Sequence, residues 1–288
     1  MYRMLNFSTH IKSELAQVNE GLIISDCKSE KLKLILNNLI SAPSKKIRPI
    51  FAILYLKSIG LSTISPEQIS IMQSVELVHT ASLIHDDVID NSSHRRNIQT
   101  INSQFDNQLA VIAGDFLISY ALNKITFDKS LNLLNLFNQT FKTMCEAEAQ
   151  QHFLKNTFPT ESDYLTKTKQ KTASLFVLIL NACGQFVPDF DSQLAQTFAE
   201  NLGIAFQLRN DLLQFLSSGF DSDDFKQGIY TLPLIYMNLG LSKSSAIEKT
   251  SDLIHNYLDI ANDAISSIPH SVYKDDLIGV INWISKIK

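Results

Sequence analysis

Apolar residues recur at three- and four-residue intervals along almost the whole chain, and runs that alternate apolar with polar residues are nearly absent. This periodicity is typical of amphipathic helices and predicts an all-α protein. The nine glycines and seven prolines fall mostly between the periodic segments, where they end helices or form turns. The predicted helices run from Ser8 toward Asn19, Ser29 to Ile40, Pro49 to Gly60, Ser65 to Asp90, Asn107 to Phe127, Lys129 to Asn156, Thr160 to Cys183 and Asp191 to Ser217, with a loop at 217–230 and shorter helices to Lys288.

The helix predicted to begin after Ser65 carries a complete start signal. Ser65 can cap it, Pro66 suits its first position, and Gln68 can close a capping box. Its predicted length exceeds that of an ordinary globular helix, so we expect it to span the full height of a bundle. The chain shows no internal repeat, low-complexity tract or linker. We therefore predict one domain over residues 1–288, a single bundle of long helices.

Composition and charge narrow the class of protein. Apolar residues make up 45% of the chain, enough for a large core, and the net charge of -4 argues against nucleic acid as a partner. Cys27, Cys145 and Cys183 lie far apart without a Cys-x-x-Cys pair, which favours reduced thiols. Residues 1–17 are too polar for a signal peptide, and no apolar run approaches the roughly 20 residues that span a bilayer. We expect a soluble, cytoplasmic protein.

The stretch from His79 to Arg96 combines acidic and basic residues at the end of an apolar helix. It contains Asp86-Asp87-x-x-Asp90, in which the first and last carboxylates lie one helical turn apart, and Arg95-Arg96 follows. Clustered carboxylates are typical ligands of Mg²⁺, and guanidinium groups suit phosphate oxygens. The stretch therefore favours a metal–diphosphate site over its alternative, a solvated helix end followed by a basic turn.

A second polar stripe lies on the otherwise apolar helix predicted from Asp191 to Ser217. Gln207, Asn210, Asp211 and Gln214 recur at three- and four-residue spacing. Their frame echoes that of the first acidic motif, with amides in two of its three acidic positions. Buried polar groups need partners, so this stripe is expected to face a cleft, although a surface stripe on an amphipathic helix is the alternative.

These motifs occur in an order that resembles the trans-polyprenyl diphosphate synthases. This family condenses an allylic diphosphate with isopentenyl diphosphate. The similar motifs extend from Ser44 to Pro233: Ser44-Lys45-Lys46-Ile47-Arg48-Pro49, His79-Thr80, the acidic motif with Arg95-Arg96, Gly114-Asp115-Phe116, Glu148-x-x-Gln151, Lys171-Thr172-Ala173, Phe206-Gln207 and Thr231-Leu232-Pro233.

The resemblance implies the isoprenoid synthase fold, a bundle of long helices around a deep central cavity, usually as a homodimer. It implies two or three Mg²⁺ ions as cofactor and a set of site residues. These are Lys45, Arg48, His79 and Arg96 for isopentenyl diphosphate; Arg95, Lys171, Thr172 and Gln207 for the allylic diphosphate; Asp86, Asp87, Asp90, Asn210, Asp211 and Gln214 for metal; and Asp86, Asp87, Asp90, Arg95 and Lys171 as the catalytic set.

Several of these residues have ordinary structural interpretations when each is considered alone. Lys45 and Arg48 suit a basic helix start, His79 suits a core histidine, and Lys171 suits a solvated face. Their joint occurrence in the family order favours the site. Glu148 and Gln151 also suit surface positions, and they are kept outside the catalytic set.

The chain departs from the family pattern in the allylic half of the site. Asn210 and Gln214 stand where the family has carboxylates, so a third metal ion is expected to bind more weakly. Two lysines that the family carries after this motif are also missing, one near Gly219 or Phe220 and one at Ile229. In the isopentenyl half, Pro43-Ser44 replaces the Gly-Gly pair that precedes the family's first lysine, so the backbone there is less permissive.

Product length in this family depends on the residues that precede the first aspartate, where a bulky side chain closes the cavity. Ala81 and Ser82 are small, and Val78 lies a turn deeper. We therefore predict a product longer than fifteen carbons, with the cavity closed by Phe116 or Tyr120.

Two classes of function stay open at this point. One is an active prenyltransferase with a weakened third metal site. The other is a weakly active or non-catalytic subunit of a heteromeric synthase. A prenyl-donor enzyme with another acceptor is a further alternative. The preferred primer, the pathway, and the choice between homodimer and heterodimer do not follow from the sequence.

Overall fold

The computed structural model describes residues 6–95, 98–126 and 131–287, and regular structure within these ranges is almost entirely helical. The predicted all-α class is confirmed. The α-helices are α1 (Lys12–Glu20), α2 (Glu30–Ile40), α3 (Ile47–Ser58), α4 (Pro66–Ile89), α5 (Ile101–Gln104), α6 (Asn107–Lys124), α7 (Leu131–Phe153), α8 (Glu161–Thr168), α9 (Ser174–Gly184), α10 (Ser192–Ser218), α11 (Asp223–Lys226), α12 (Leu232–Asn238), α13 (Lys243–Ala264) and α14 (Val272–Ser285).

Helix starts occur where the capping signals predict them. The Ser65 hydroxyl accepts a hydrogen bond from the Gln68 backbone N–H, and the Gln68 side chain accepts one from the Ser65 N–H. The Ser29 hydroxyl likewise accepts from the Leu32 N–H at the start of α2. Each of these bonds satisfies a donor that a helix end leaves unpaired, which fixes the start of the helix locally.

Three segments differ from the sequence-based prediction. Helix α3 begins at Ile47, earlier than predicted, after Lys46 in a left-handed conformation (φ 46°). The helix predicted from Thr160 to Cys183 is divided into α8 and α9 by a π-helical turn at Lys169–Ala173. The predicted loop at 217–230 contains a 3₁₀ turn, Gly219–Asp221, and the short helix α11. Periodicity cannot reveal such changes because they alter one turn of an otherwise helical pattern.

The core lies between the long helices. All residues of α3 are buried, and Phe51 on its inner face stacks on Phe176 of α9 with ring centroids 5.0 Å apart. Helix α4 packs along α6, and α10 packs along α13 and α9. Gly203 of α10 lies so close to the π turn that a Cβ there would meet the Ala173 Cα at 2.7 Å, so a glycine permits this crossing.

A short antiparallel hairpin follows α4 and brings the chain back to it. Strand β1 (His94–Arg95) pairs with β2 (Ile98–Gln99). The Asn102 side chain donates to the backbone oxygens of Asp87 and Ser92, which holds the hairpin against the carboxyl end of α4. Among the helices in the described ranges, none combines the length and the apolar character that crossing a membrane requires.

Candidate active site

The three aspartates of the first motif lie at the carboxyl end of α4, and each faces a cation from another element. The Asp86 carboxylate lies 3.4 Å from Lys171 Nζ, and the Asp90 carboxylate lies 3.6 Å from Lys155 Nζ. Arg95 Nε donates to Asp87 Oδ1 at 2.7 Å. A helix carboxyl end already carries partial negative charge, so three acids there need positive neighbours. The fold thus brings the predicted cations Arg95 and Lys171 to these three aspartates, and it adds Lys155.

The π turn directs Lys171 and Thr172 from the α8–α9 segment toward α4 and α10. Lys171 forms a close ion pair with Glu148 of α7 as well as its contact with Asp86. The Gln151 amide donates to the other Glu148 oxygen at 3.0 Å. Of the two alternatives for Glu148, the ion pair with Lys171 favours a position beside the candidate site over an exposed surface position. The spacing of this motif was the signal that could have identified it.

Burial and like charges perturb the titration of the site. Burial raises the pKa of Asp86, and the neighbouring carboxylates of Glu148 and Asp90 add to this, while Lys171 opposes it. Burial also raises the pKa of Asp87, and Arg95 opposes that increase. Burial alone would lower the pKa of Lys171, but Asp86 and Glu148 outweigh it and raise this pKa. The site thus carries negative charge that additional positive charge would stabilise.

The carboxyl end of α4 with Asp86, Asp87 and Asp90, which we call the first wall of the site, has the chemistry of a Mg²⁺ site. Asp90 Oδ1 is buried without a hydrogen-bond donor, and the negative charge of Asp90 acts on both Asp86 and Asp87. Within the described residues no three His, Cys, Asp or Glu side chains converge on one point. Mg²⁺ usually takes one or two carboxylates and completes its coordination with water and phosphate oxygens, so this arrangement fits it. Asp86 and Asp90 are the residues that would hold it.

The second wall of the site is the polar stripe of α10, with Gln207, Asn210, Asp211 and Gln214. A chain of hydrogen bonds joins it to the α8–α9 segment. The Thr172 hydroxyl donates to Gln207 Oε1 at 3.1 Å, and Gln207 Nε2 donates to Asp211 Oδ1 at 2.7 Å. The buried Tyr164 hydroxyl donates to the other oxygen of Asp211. Both oxygens of the carboxylate retained in this motif therefore accept bonds from the protein. Tyr164 was missed because nothing in its local sequence marks a contact with α10.

Two of the residues predicted for isopentenyl diphosphate, Lys45 and Arg48, lie at the start of α3, and His79 lies on α4. Lys46 pairs with Glu76 of α4 at 3.7 Å, which fixes this start beside the helix that carries His79. The exposed Lys45 places its ammonium 4.9 Å from the centre of the Trp283 ring, and the buried Arg48 lies over the Phe176 ring. Trp283 of α14 contacts this region without any motif to indicate it.

Arg96 lies outside the described residues, so its predicted role stays a prediction. The predicted metal ligands Asn210 and Gln214 lie on α10 and are half-buried, whereas Asp211 and Leu212 between them are buried. Their binding of metal also stays a prediction.

The residues predicted to set product length lie on α4 and α6. Val78 and Ala81 are buried, and the Ser82 hydroxyl is occupied by a bond to the His79 carbonyl at 2.9 Å. On α6, which packs along α4, the rings of Phe116 and Tyr120 stack with centroids 5.9 Å apart. The small side chains and the aromatic pair thus belong to two packed helices. Closure of the cavity by this pair stays a prediction.

Comparison with known proteins decides the family. The polyprenyl synthetase family model matches residues 29–263 of the chain. The chain belongs to the polyprenyl synthetase family. It is 31% identical over 278 residues to an octaprenyl diphosphate synthase from Haemophilus influenzae, covering 84% of each chain. It is also 34% identical over 282 residues to a prenyl transferase from Synechocystis, covering 86% of this polyprenyl synthetase and 87% of its relative.

Solved structures match the fold of this polyprenyl synthetase over nearly its whole length. The decaprenyl diphosphate synthase of Rhodobacter capsulatus gives a TM-score of 0.88 at 23% identity, with 98% of each chain covered. The heptaprenyl diphosphate synthase of Staphylococcus aureus gives 0.87 at 24% identity, covering 98% of this chain and 99% of that one. The predicted family, its fold and the enzyme class of prenyl-group transfer are confirmed.

Proposed function

We propose that this polyprenyl synthetase condenses an allylic diphosphate with isopentenyl diphosphate, and that its product is longer than fifteen carbons. The observation that carries the proposal is the carboxyl end of α4, where Asp86, Asp87 and Asp90 each face a cation. Alternating acids and cations suit a metal–diphosphate, which binds both kinds of group. Relatives named as octaprenyl and decaprenyl diphosphate synthases support a long product.

The reaction begins when the allylic carbon–oxygen bond ionises and leaves a diphosphate and a carbocation. Asp86 and Asp90 would hold Mg²⁺, which when bound would supply positive charge for the leaving diphosphate. Lys171 and Arg95 add fixed positive charge, and Thr172 and Gln207 contribute polar hydrogen-bonding groups. The second substrate attacks through its double bond, and the departed diphosphate accepts the final proton. The polypeptide therefore needs no nucleophilic side chain.

The apolar residues N-terminal to Asp86 on α4 shield the carbocation from water. Ala81 and Val78 are buried, and Ile84 beside them is also buried. Excluding water prevents hydrolysis of the cation before the second substrate attacks. We propose that the growing chain lies along this face, and that the protein works in the cytoplasm as a homodimer.

A second candidate function is supported by the second wall. Asn210 and Gln214 carry no charge, and Asp211 already accepts bonds from Tyr164 and Gln207. A wall of this kind suits a weakly active subunit that pairs with a competent synthase. Transfer of the prenyl group to another acceptor is compatible with the same first wall.

Assay of the purified protein alone distinguishes these candidates. With isopentenyl diphosphate, allylic primers of ten to twenty carbons and Mg²⁺, we expect elongated products that need the metal. Chromatography of the dephosphorylated products gives their length. Turnover at background level that appears only when a second synthase chain is added would instead establish the subunit role.

Restoring the acids of the second wall is expected to strengthen metal binding. In the Asn210→Asp, Gln214→Asp variant, we expect half-maximal activity at a Mg²⁺ concentration about tenfold lower, because two carboxylates replace neutral amides. Calorimetric titration of the protein with Mg²⁺, in the presence of inorganic diphosphate, measures the change in metal affinity without turnover. Ser217→Asp, on the exposed end of α10, is the matched control. An unchanged metal requirement would mean that this stripe does not contact metal.

A further inference from the structure

Lys155 follows the last turn of α7 and reaches the first wall of the site. Its ammonium lies 3.6 Å from Asp90 Oδ1, and its side chain is 21% exposed. This separation is an ion pair without a hydrogen bond, since Asp90 Oδ1 has no donor within hydrogen-bonding distance. Lys155 therefore provides positive charge at the site without being fixed to the carboxylate.

The three cations of the first wall stand in the same relation to the acidic motif. Lys171 faces Asp86, and Arg95 faces Asp87. Both belong to the set that the proposed function assigns to the allylic diphosphate. Lys155 faces Asp90 in the same way, from a third element of the fold. A metal–diphosphate bound between these carboxylates would bring its oxygens within reach of all three cations.

Lys155 is held in place by contacts between the segment after α7 and residues 227–228. The next residue, Asn156, has a left-handed backbone (φ 63°), and its N–H donates to the Gly228 carbonyl at 2.9 Å. The approach is close, because a Cβ at Gly228 would lie 2.2 Å from Asn156 Oδ1. Gln227 Nε2 donates to the Asp90 carbonyl at 3.2 Å. The end of α7 and residues 227–228 are thus fixed together around Asp90.

We propose that Lys155 binds the allylic diphosphate at the Asp90 end of the first wall. Its ammonium lies 3.6 Å from Asp90 Oδ1, and the Asn156–Gly228 hydrogen bond fixes the backbone that follows it. A lysine ammonium has three donors on a flexible stem, which suits a partner with several anionic oxygens. The inference rests on the proposed function for its ligand.

The test compares Lys155→Gln with Lys142→Gln, a lysine on α7 that is 69% exposed and lies 3.8 Å from Glu146. At saturating Mg²⁺, we expect Lys155→Gln to weaken binding of inorganic diphosphate by about tenfold or more, the usual value of one charged hydrogen bond. The KM of the allylic substrate rises by a similar factor, and the KM of isopentenyl diphosphate stays unchanged. Lys155→Arg recovers most of the affinity, and Lys142→Gln matches the wild type.

Two results would overturn the inference. Unchanged diphosphate affinity in Lys155→Gln, with a lower Mg²⁺ requirement, would mean that Lys155 only neutralises Asp90. Equal losses for both substrates, with a lowered melting temperature, would mean a structural role. Calorimetry with inorganic diphosphate does not require turnover, so it separates this inference from the proposed function. A wild-type protein that binds diphosphate through Lys155 but makes no product would support the first and contradict the second.

Discussion

Asp86→Asn is expected to lower kcat/KM by about 10³-fold, or about 4 kcal/mol of transition-state stabilisation, while the protein remains folded. The side chain keeps its size and can still accept a bond from Lys171, but it loses the charge that binds metal. Asp86 lies 3.4 Å from Lys171 and is among the aspartates at the carboxyl end of α4. Steady-state kinetics over a range of Mg²⁺ concentrations measures the loss. Asp259→Asn, at an exposed position of α13, is the control.

The same variant should be more resistant to heat than the wild type at neutral pH. Burial, with Glu148 and Asp90 nearby, raises the pKa of Asp86 in the folded state. The ionised carboxylate therefore lowers stability most at pH values above its folded pKa, and this effect decreases as the pH falls from the folded pKa to the lower pKa of the unfolded state. Asn removes it at all pH values, so the difference in melting temperature is largest at neutral pH and decreases in acid. Activity within a few-fold of wild type would contradict the assignment of Asp86.

Ala81→Phe is expected to shorten the product by one or more five-carbon units and to leave the condensation step active. Ala81 is fully buried and lies five residues before Asp86 on α4. A phenyl ring there fills the space that we assign to the growing chain. Product chromatography with a labelled isopentenyl diphosphate measures the distribution, and the initial rate of the first condensation shows that the site still works.

Overpacking is the main alternative explanation of that result, since added volume in a close-packed core costs about 1–3 kcal/mol. Phe116→Ala tests the overpacking explanation with the opposite change in volume. It removes volume on α6 and should lengthen the product. Ala81→Val, a smaller increase at the same position, is the matched control and should shift the distribution less. A wild-type protein limited to fifteen carbons, with the same distribution in Ala81→Phe, would contradict the predicted chain-length determinant.

Much of the fold could be predicted from local signals. The capping box at Ser65 and Gln68 fixes the start of α4, and Ser29 fixes that of α2, because these bonds join residues three positions apart. The π turn at Lys169–Ala173 could not be predicted. This turn packs closely against Gly203 of α10, which is distant in sequence.

The candidate site likewise has features that the sequence predicts and contacts that only the structure shows. Asp86 and Asp90 share a helix face by their spacing alone, so the sequence determined the first acidic wall. The order of the motifs between Ser44 and Pro233 also determined the family. Contacts with other helices were decided only by packing: Glu148 on Lys171, Lys155 beside Asp90, and Tyr164 on Asp211. These pairs join residues separated by tens of positions, which no local periodicity encodes.

The sequence by itself therefore determined the helices, the family and the chemical type of the first wall, since each depends on residues close together in the chain. Only the tertiary structure decided which cation faces each aspartate, and that Asp211 is held by hydrogen bonds from Tyr164 and Gln207. The physical reason is that helix periodicity and capping act over three or four residues. Charge pairing and burial depend instead on where whole helices meet.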